Sequence, residues 1–395
     1  MHGKLLTSSL LVALLPQAVL GLPAACTAVG KAIYLISNGP ENNVIALPIG
    51  ADGTLSKGSS IATGGAGSNS VDGATNQPAA PDALVSQGSL TLAGKNLFAI
   101  NAGSNTVTMF AIDSKDPTKL TMVGKPVSVP GEFPNTVAAS PKNKLVCVGS
   151  SGAVAGVSCS RFSAQGIESM DQLRPFDLKQ TTPPVGPLNT VSHAFFSRDE
   201  STLFTTVKGD PTVNNTGFLA AFPVGASCSG NSVSQEAANS SPDGTAVLFG
   251  SSTIPGSNHL FVTDASFGAA VLDIKGNVAT VKGKGLIDGQ KATCWVAISA
   301  ATKTAFVADV ASNRLVEMST TDATILGQID LSANGDPGLV DLAAAGMFVY
   351  ALSPGNGTTQ AAVTVVDAVK KQQVQHFSLE SLGAGKNAQG MVALL

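Results

Sequence analysis

Histidine and arginine are scarce in this chain of 395 residues, and their positions bound the chemistry it can do. Apart from His2, the histidines are His193 in NTVSHAFFSRDES, His259 in PGSNHLFVTD and His376 in VQHFSL. A histidine titrates close to neutral pH, so each could move a proton. His193 sits inside an alternating apolar run. It reads equally well as a general acid or base and as a core histidine satisfied by hydrogen bonds. His259 lies in a turn-like context and reads as a surface residue. His376 reads as part of an outer strand. Two carboxylates, Asp264 and Asp309, end the similar phrases LFVTD and AFVAD. Each could assist proton transfer or bond its own backbone at a tight turn, and the turn reading is the stronger for Asp309.

Proton transfer at a carbonyl centre needs, besides the acid or base, cations for neighbouring carboxylates and for the developing oxyanion. The arginines are Arg161, Arg174, Arg198 and Arg314. Arg198 falls in a turn and Arg161 on a strand, away from any obvious centre. A lysine such as Lys208 could supply a point charge, without the bidentate fit of an arginine. The cationic half of such a site is therefore not recognisable. No HExxH, GxSxG or phosphate-cradling motif is evident, and no CxxC pair suggests zinc. No metal or cofactor is expected. The formal net charge of −3 and the lack of a basic cluster argue against nucleic acid. A single tryptophan, Trp295, and two tyrosines offer few platforms for sugars, and Trp295 reads as core.

The elements that must position these residues repeat. Strand–turn–strand phrases begin at Ile33, Leu97, Leu145, Leu203, Leu260, Ala305 and Phe348. Short apolar segments precede several of them, such as DALVSQGSLTLAG and ATCWVAIS, and others follow, such as LTMVGKPVSV. Each unit thus holds four strands in a period of roughly 45 to 60 residues, which is the signature of a β-propeller. The expected fold is all-β, a seven-bladed β-propeller, with a two-domain β-sandwich as the alternative. The first unit lacks a preceding inner strand, and the terminal NAQGMVALL has no later partner. The C-terminal strand is therefore expected to close the ring as the inner strand of blade one. The Gly- and Asn-rich stretch 64–82 and TTPPVGPLN at 181–189 read as long loops between blades.

The N-terminus has the layout of a secretory signal peptide: Lys4, an apolar run and small residues, with cleavage expected after Gly21 or Ala24. The expected organisation is a signal peptide over 1–21 and one propeller domain over 22–395. No stretch is expected to span a membrane. In an oxidising compartment, Cys26, Cys147, Cys159, Cys228 and Cys294 suggest two disulfides and one free thiol. Cys147 and Cys159 flank Ala153 symmetrically in LVCVGSSGAVAGVSCSRF, which predicts a cross-strand disulfide. Three sequons, at Asn214, Asn239 and Asn356, are candidate glycosylation sites.

The phrases NNVIALPIGADGTLSKGSSIATGG, SNTVTMFAID, TVAASPKNKLVCV and AQGMVAL resemble those of secreted fungal 3-carboxymuconate-cyclase-like proteins. These are distant relatives of the seven-bladed lactonases, which include the 6-phosphogluconolactonase and muconate-lactonising families. The resemblance implies that His193 occupies the position of the histidine those enzymes place at their channel, with Asp264 as a second member. It also implies that Arg–His pairs or channel arginines should be present, and SSPDGTAVLFG at blade five has neither. Some secreted members are surface antigens and adhesins. The first expectation is therefore an extracellular or cell-wall glycoprotein acting by binding matrix, host-surface or wall components. The alternative is an active cyclase or lactonase on a small carboxylate or lactone, using His193 and Asp264.

Overall fold

The computed structural model describes residues 30–227 and 230–395. The expected signal peptide, Cys26 and Cys228 lie outside the described residues. Seven antiparallel sheets follow one another around a ring, each with four main strands and three of them with a short fifth. Their inner strands are Gln389–Leu394, Leu90–Ala93, Pro134–Ser140, Val191–Phe196, Leu248–Thr253, Thr293–Ile298 and Leu342–Ala345, for blades one to seven. Antiparallel hairpins carry each blade outward. Second strands such as Ala32–Ile36 and Leu145–Ser150 are buried throughout because neighbouring blades cover both faces. Outer strands such as Gln372–Ser378 are largely exposed.

Ring closure follows the expected route. The C-terminal strand pairs with the first strand of the described chain, with Ala32 opposite Leu394 and Tyr34 opposite Val392. A blade buries little by itself, so packing between blades makes the core. Leu145, Cys147 and Cys159 of blade three pack on Ala194, Leu203, Ala220 and Phe222 of blade four. Within that interface Cys147 and Cys159 face each other across the hairpin and form the predicted disulfide. Cys294 is a buried free thiol.

Both long loops fall between blades, and they do more than connect. Val71–Asp72 of the first pairs in parallel with Val185–Gly186 of the second, so the two loops meet over one end of the channel. One expectation is corrected here: DALVSQGSLTLAG is not all strand. Only Leu90–Ala93 joins blade two, and residues 82–89 cross the axis as a plug. The Ser86 carbonyl accepts from the Trp295 indole of blade six, and Gln87 bonds both backbone groups of Val296. The Gln87 N–H reaches Ser192 of blade four, and the Gly88 carbonyl accepts from Val137 of blade three. Backbone polar groups in the channel must be paired, and the plug and the inner strands pair each other.

Candidate functional site

The inner strands of blades three to six share a local irregularity. Register against the second strand slips at Pro134/Thr136, Val191/His193, Leu248/Ser251 and Thr293/Trp295. A bulge leaves a residue unpaired and re-aims its side chain. The unpaired residues include Asn135, Ser192, Phe249 and Cys294, and these surround the plug or the space above it. Asn135 donates to the carbonyls of Leu84 and Val191. Ser192 donates to the Leu248 carbonyl. Phe249 and Cys294 line an open cleft of about 400 Å³ at the end of the channel covered by the long loops.

Asp82, Val85 and Lys208 share that cleft, and its walls are otherwise mainly apolar. Lys208 follows the second strand of blade four and is 1% exposed. Its Nζ donates to the Val85 carbonyl at 2.6 Å and to Ser192 Oγ at 3.3 Å. It also lies 4.4 Å from the centre of the Phe249 ring. Val85 presents that carbonyl from a left-handed conformation, φ 48°, rare for a β-branched residue. Asp82, half-buried at the start of the plug, accepts from Val85 N–H and from the Gln389 amide. Burial pushes the Asp82 carboxyl up, against the attraction of Lys208. Burial pushes the Lys208 ammonium down, against the attraction of Asp82. The two charges act on each other through space, without a closed ion pair. Burial likewise holds the Cys294 thiol well above its ordinary value, so it is not an activated nucleophile.

His193 lies on the inner strand of blade four, as the sequence implies, but not in this cleft. Its ring stacks on Phe195 at 5.0 Å, and Nδ1 accepts from Ser251 N–H. It borders a smaller cavity of about 130 Å³ that also touches Gln87 and Gly88, on the other side of the plug from Lys208. Burial pushes its pKa down to about 3, so the ring is neutral near pH 7. The structure does not bring Asp264 to it. Asp264 is fully buried and accepts from the N–H groups of Ala246, Val247 and Ser266. Asp309 does the same for Lys291 and Ala311. Both carboxylates hold turns, the alternative role the sequence offered.

None of the arginines lines the cleft. Arg174 is locked on Asp171 and on the carbonyls of Val233 and Ser234. Arg161 lies on the third strand of blade three, Arg198 is exposed, and Arg314 bonds Gln328 and the Asp288 carbonyl. His259 is flanked by Asp273 and Lys282, and His376 by Asp336. Among the described residues, no three His, Cys, Asp or Glu side chains gather as a metal site. Asn214, Asn239 and Asn356 are all exposed. Sequence reasoning noticed Lys208 as a possible charge and did not single out Asp82, which no motif or periodicity marks.

The fold is a seven-bladed β-propeller with an open cleft at one end of its axis. No family model matches the chain. No curated protein matches it either. Solved structures do. The periplasmic gluconolactonase PpgL of Pseudomonas aeruginosa superposes with a TM-score of 0.63 at 13% identity, covering 92% of this chain and 99% of that one. A candidate 6-phosphogluconolactonase from Bacteroides fragilis gives 0.59 at 10% identity, covering 94% and 99%. Apo AztD from Citrobacter koseri gives 0.55 at 14% identity, covering 93% and 98%. At these identities the likeness shows the shared fold, and lactonase-type propellers are among the neighbours.

Proposed function

We propose that the axial cleft is a lactonase-type site for a small lactone or its open carboxylate. The observation that carries this reading is the Asp82–Lys208 pair. An acid raised by burial and a cation lowered by burial share one mainly apolar cleft without neutralising each other. Opposed shifts of this kind move two groups toward the same pH, where one can work as base while the other stays charged.

The chemistry follows from their types. The Asp82 carboxylate takes a proton from a water as its oxygen attacks the lactone carbonyl carbon. The carbonyl electron pair moves onto oxygen, where charged Lys208 stabilises it. Lys208 has three N–H donors when protonated, and two serve Val85 and Ser192. The third is available to the substrate. Collapse of the intermediate breaks the ring C–O bond, and Asp82 returns its proton to the leaving alkoxide.

The finer reading, a carboxylated muconate or muconolactone as substrate, is supported by the sequence resemblance and by Lys208 as a counter-charge. Export with glycosylation is supported by the N-terminal layout and the exposed sequons. A glycosidase-induced mass shift in the secreted protein tests it. Binding of wall or matrix components would use the outer faces and is tested separately, by pull-down on wall polysaccharide. The test of the main reading is hydrolysis of aliphatic, sugar and muconate lactones. Asp82→Asn and Lys208→Met should each lower kcat/KM by about 10² or more, while His193→Asn retains activity. Absence of turnover across the panel, or indifference to both cleft substitutions, overturns it.

A further inference from the structure

We propose that Lys208 is also a covalent carbonyl-capturing amine, and that the axial cleft holds small aldehydes or 2-oxo acids as an imine on its Nζ. This uses the same cleft but does not require that lactones be hydrolysed there.

The hydrogen bonding of Nζ is the first support. A neutral amine has two N–H groups and one lone pair. Val85 O and Ser192 Oγ accept two hydrogen bonds, as many as a neutral amine can donate. Among the described residues no third hydrogen bond to Nζ is made, and Lys208 forms part of the cleft wall. In the charged state the remaining position at nitrogen is the N–H offered to a lactone oxygen; in the neutral state it is a nucleophilic lone pair.

The surroundings favour access to the neutral state. No carboxylate closes an ion pair on Nζ. The Phe249 ring, 4.4 Å away, attracts the cation. Burial acts the other way and outweighs both the ring and the distant Asp82, so the pKa falls. A desolvated lysine of this kind is the standard route to an activated amine.

The step balances with groups in the cleft. The Nζ lone pair attacks the carbonyl carbon, the π pair moves to oxygen, and one N–H proton is transferred to that oxygen, which leaves a neutral amino alcohol. Asp82, whose raised carboxyl carries a proton in part of the population near neutral pH, protonates the resulting hydroxyl. That hydroxyl leaves as water while the nitrogen pair forms C=N. The protonated imine keeps the other N–H for the Val85 carbonyl, and Asp82 is left as the carboxylate that balances its charge. Amine, carbonyl and protonated Asp82 give protonated imine, water and the Asp82 carboxylate, with no oxidant or reductant.

The test is reductive trapping on the intact chain. Glyoxylate with cyanoborohydride at pH 8, followed by peptide mapping, converts a transient imine into a stable carboxymethyl-lysine. Lys179 and Lys275, which are exposed, report ordinary lysine reactivity in the same sample. Lys208 should label at least roughly tenfold faster than either, because far more of it is unprotonated than of an ordinary lysine with a pKa near 10.4. Lys208→Arg should remove that adduct alone. Should that variant fail to fold, the wild-type map still decides. A Lys208 peptide labelled no faster than those of Lys179 and Lys275 overturns the proposal. Trapping needs no lactone turnover, so its failure and that of the lactonase reading are separable.

Discussion

His193 should cost the folded protein stability in acid, and the size of that cost tests whether it can serve as a proton carrier. Its ring is 9% exposed, stacked on Phe195, and accepts a hydrogen bond at Nδ1. Burial takes its pKa from 6.5 to about 3. Below pH 6.5 the unfolded chain therefore binds a proton that the folded chain refuses until about pH 3. Stability attributable to this residue is fully present above pH 6.5 and is lost as pH falls toward 3. At pH 4 the loss is about 3 kcal/mol, taking 1.36 kcal/mol per pKa unit. Asp341 opposes it. That carboxyl is 1% exposed and burial pushes it up to about 7, so its contribution is full below about pH 4 and declines as pH rises through 7. Asp82, whose carboxyl burial also raises, acts in the same direction as Asp341, so wild-type stability alone does not report the histidine, and a comparison with His193→Asn isolates it. Asn can keep the acceptor for Ser251 but cannot titrate. At pH 7 the variant should be less stable by about 1–2 kcal/mol through lost stacking and packing. At pH 4 the order should reverse by a similar amount. Urea unfolding can be followed through Trp295, the only tryptophan, which is fully buried against Phe249. A difference between the two proteins that stays constant from pH 7 to pH 4 would refute the neutral, buried histidine.

Lactone hydrolysis should follow a bell-shaped pH profile. The acid limb reports Asp82 well above the ordinary carboxyl range, and the alkaline limb reports Lys208 well below the ordinary lysine range. A flat rate from pH 5 to 9 would contradict both assignments. Cys159→Ser should destabilise by about 3 kcal/mol, the cost of opening a short disulfide loop, and a thiol reductant should lower the wild-type Tm in parallel. Deleting 389–395 removes the inner strand of blade one and leaves the edge of Ala32–Ile36 unpaired. Cooperative thermal unfolding by circular dichroism should be lost or shifted to much lower temperature, and an unchanged melt would refute closure by this strand.

The architecture was legible because every blade repeats the same local conflict. Phrases such as LFAINAGSNTVTMF carry turn residues between two apolar runs, and the resulting hairpin cannot bury both faces alone. The unpartnered NAQGMVALL pointed to closure for the same reason. The hairpin symmetry around Ala153 located the disulfide, since its two cysteines fall in register. What escaped were contacts between residues far apart in the chain. Lys208 and Val85 are separated by 123 positions, and Trp295 and Ser86 by 209. Nothing periodic in ALVSQ distinguishes a plug from the start of a strand, because a segment crossing a packed axis is buried much as an inner strand is.

The column of carboxylates that ends the second strands carries a structural load, for a physical reason. Asp264 and Asp309 end second strands, where the chain turns, and an acid there meets several backbone N–H groups. Those bonds make it a structural anchor. The inner strands begin instead with a slip of register, and the residue at the slip is freed from the ladder. Asn135, Ser192, Phe249 and Cys294 differ in chemical type, so no conserved letter marks the column across blades. Their shared property is geometric: each is released from pairing where the blades come closest to the axis. The lining of the axis is thus assembled from unlike residues at like positions. Lys208, just past a second strand, joins it through hydrogen bonds to Ser192 at the adjacent bulge and to the Val85 carbonyl of the plug.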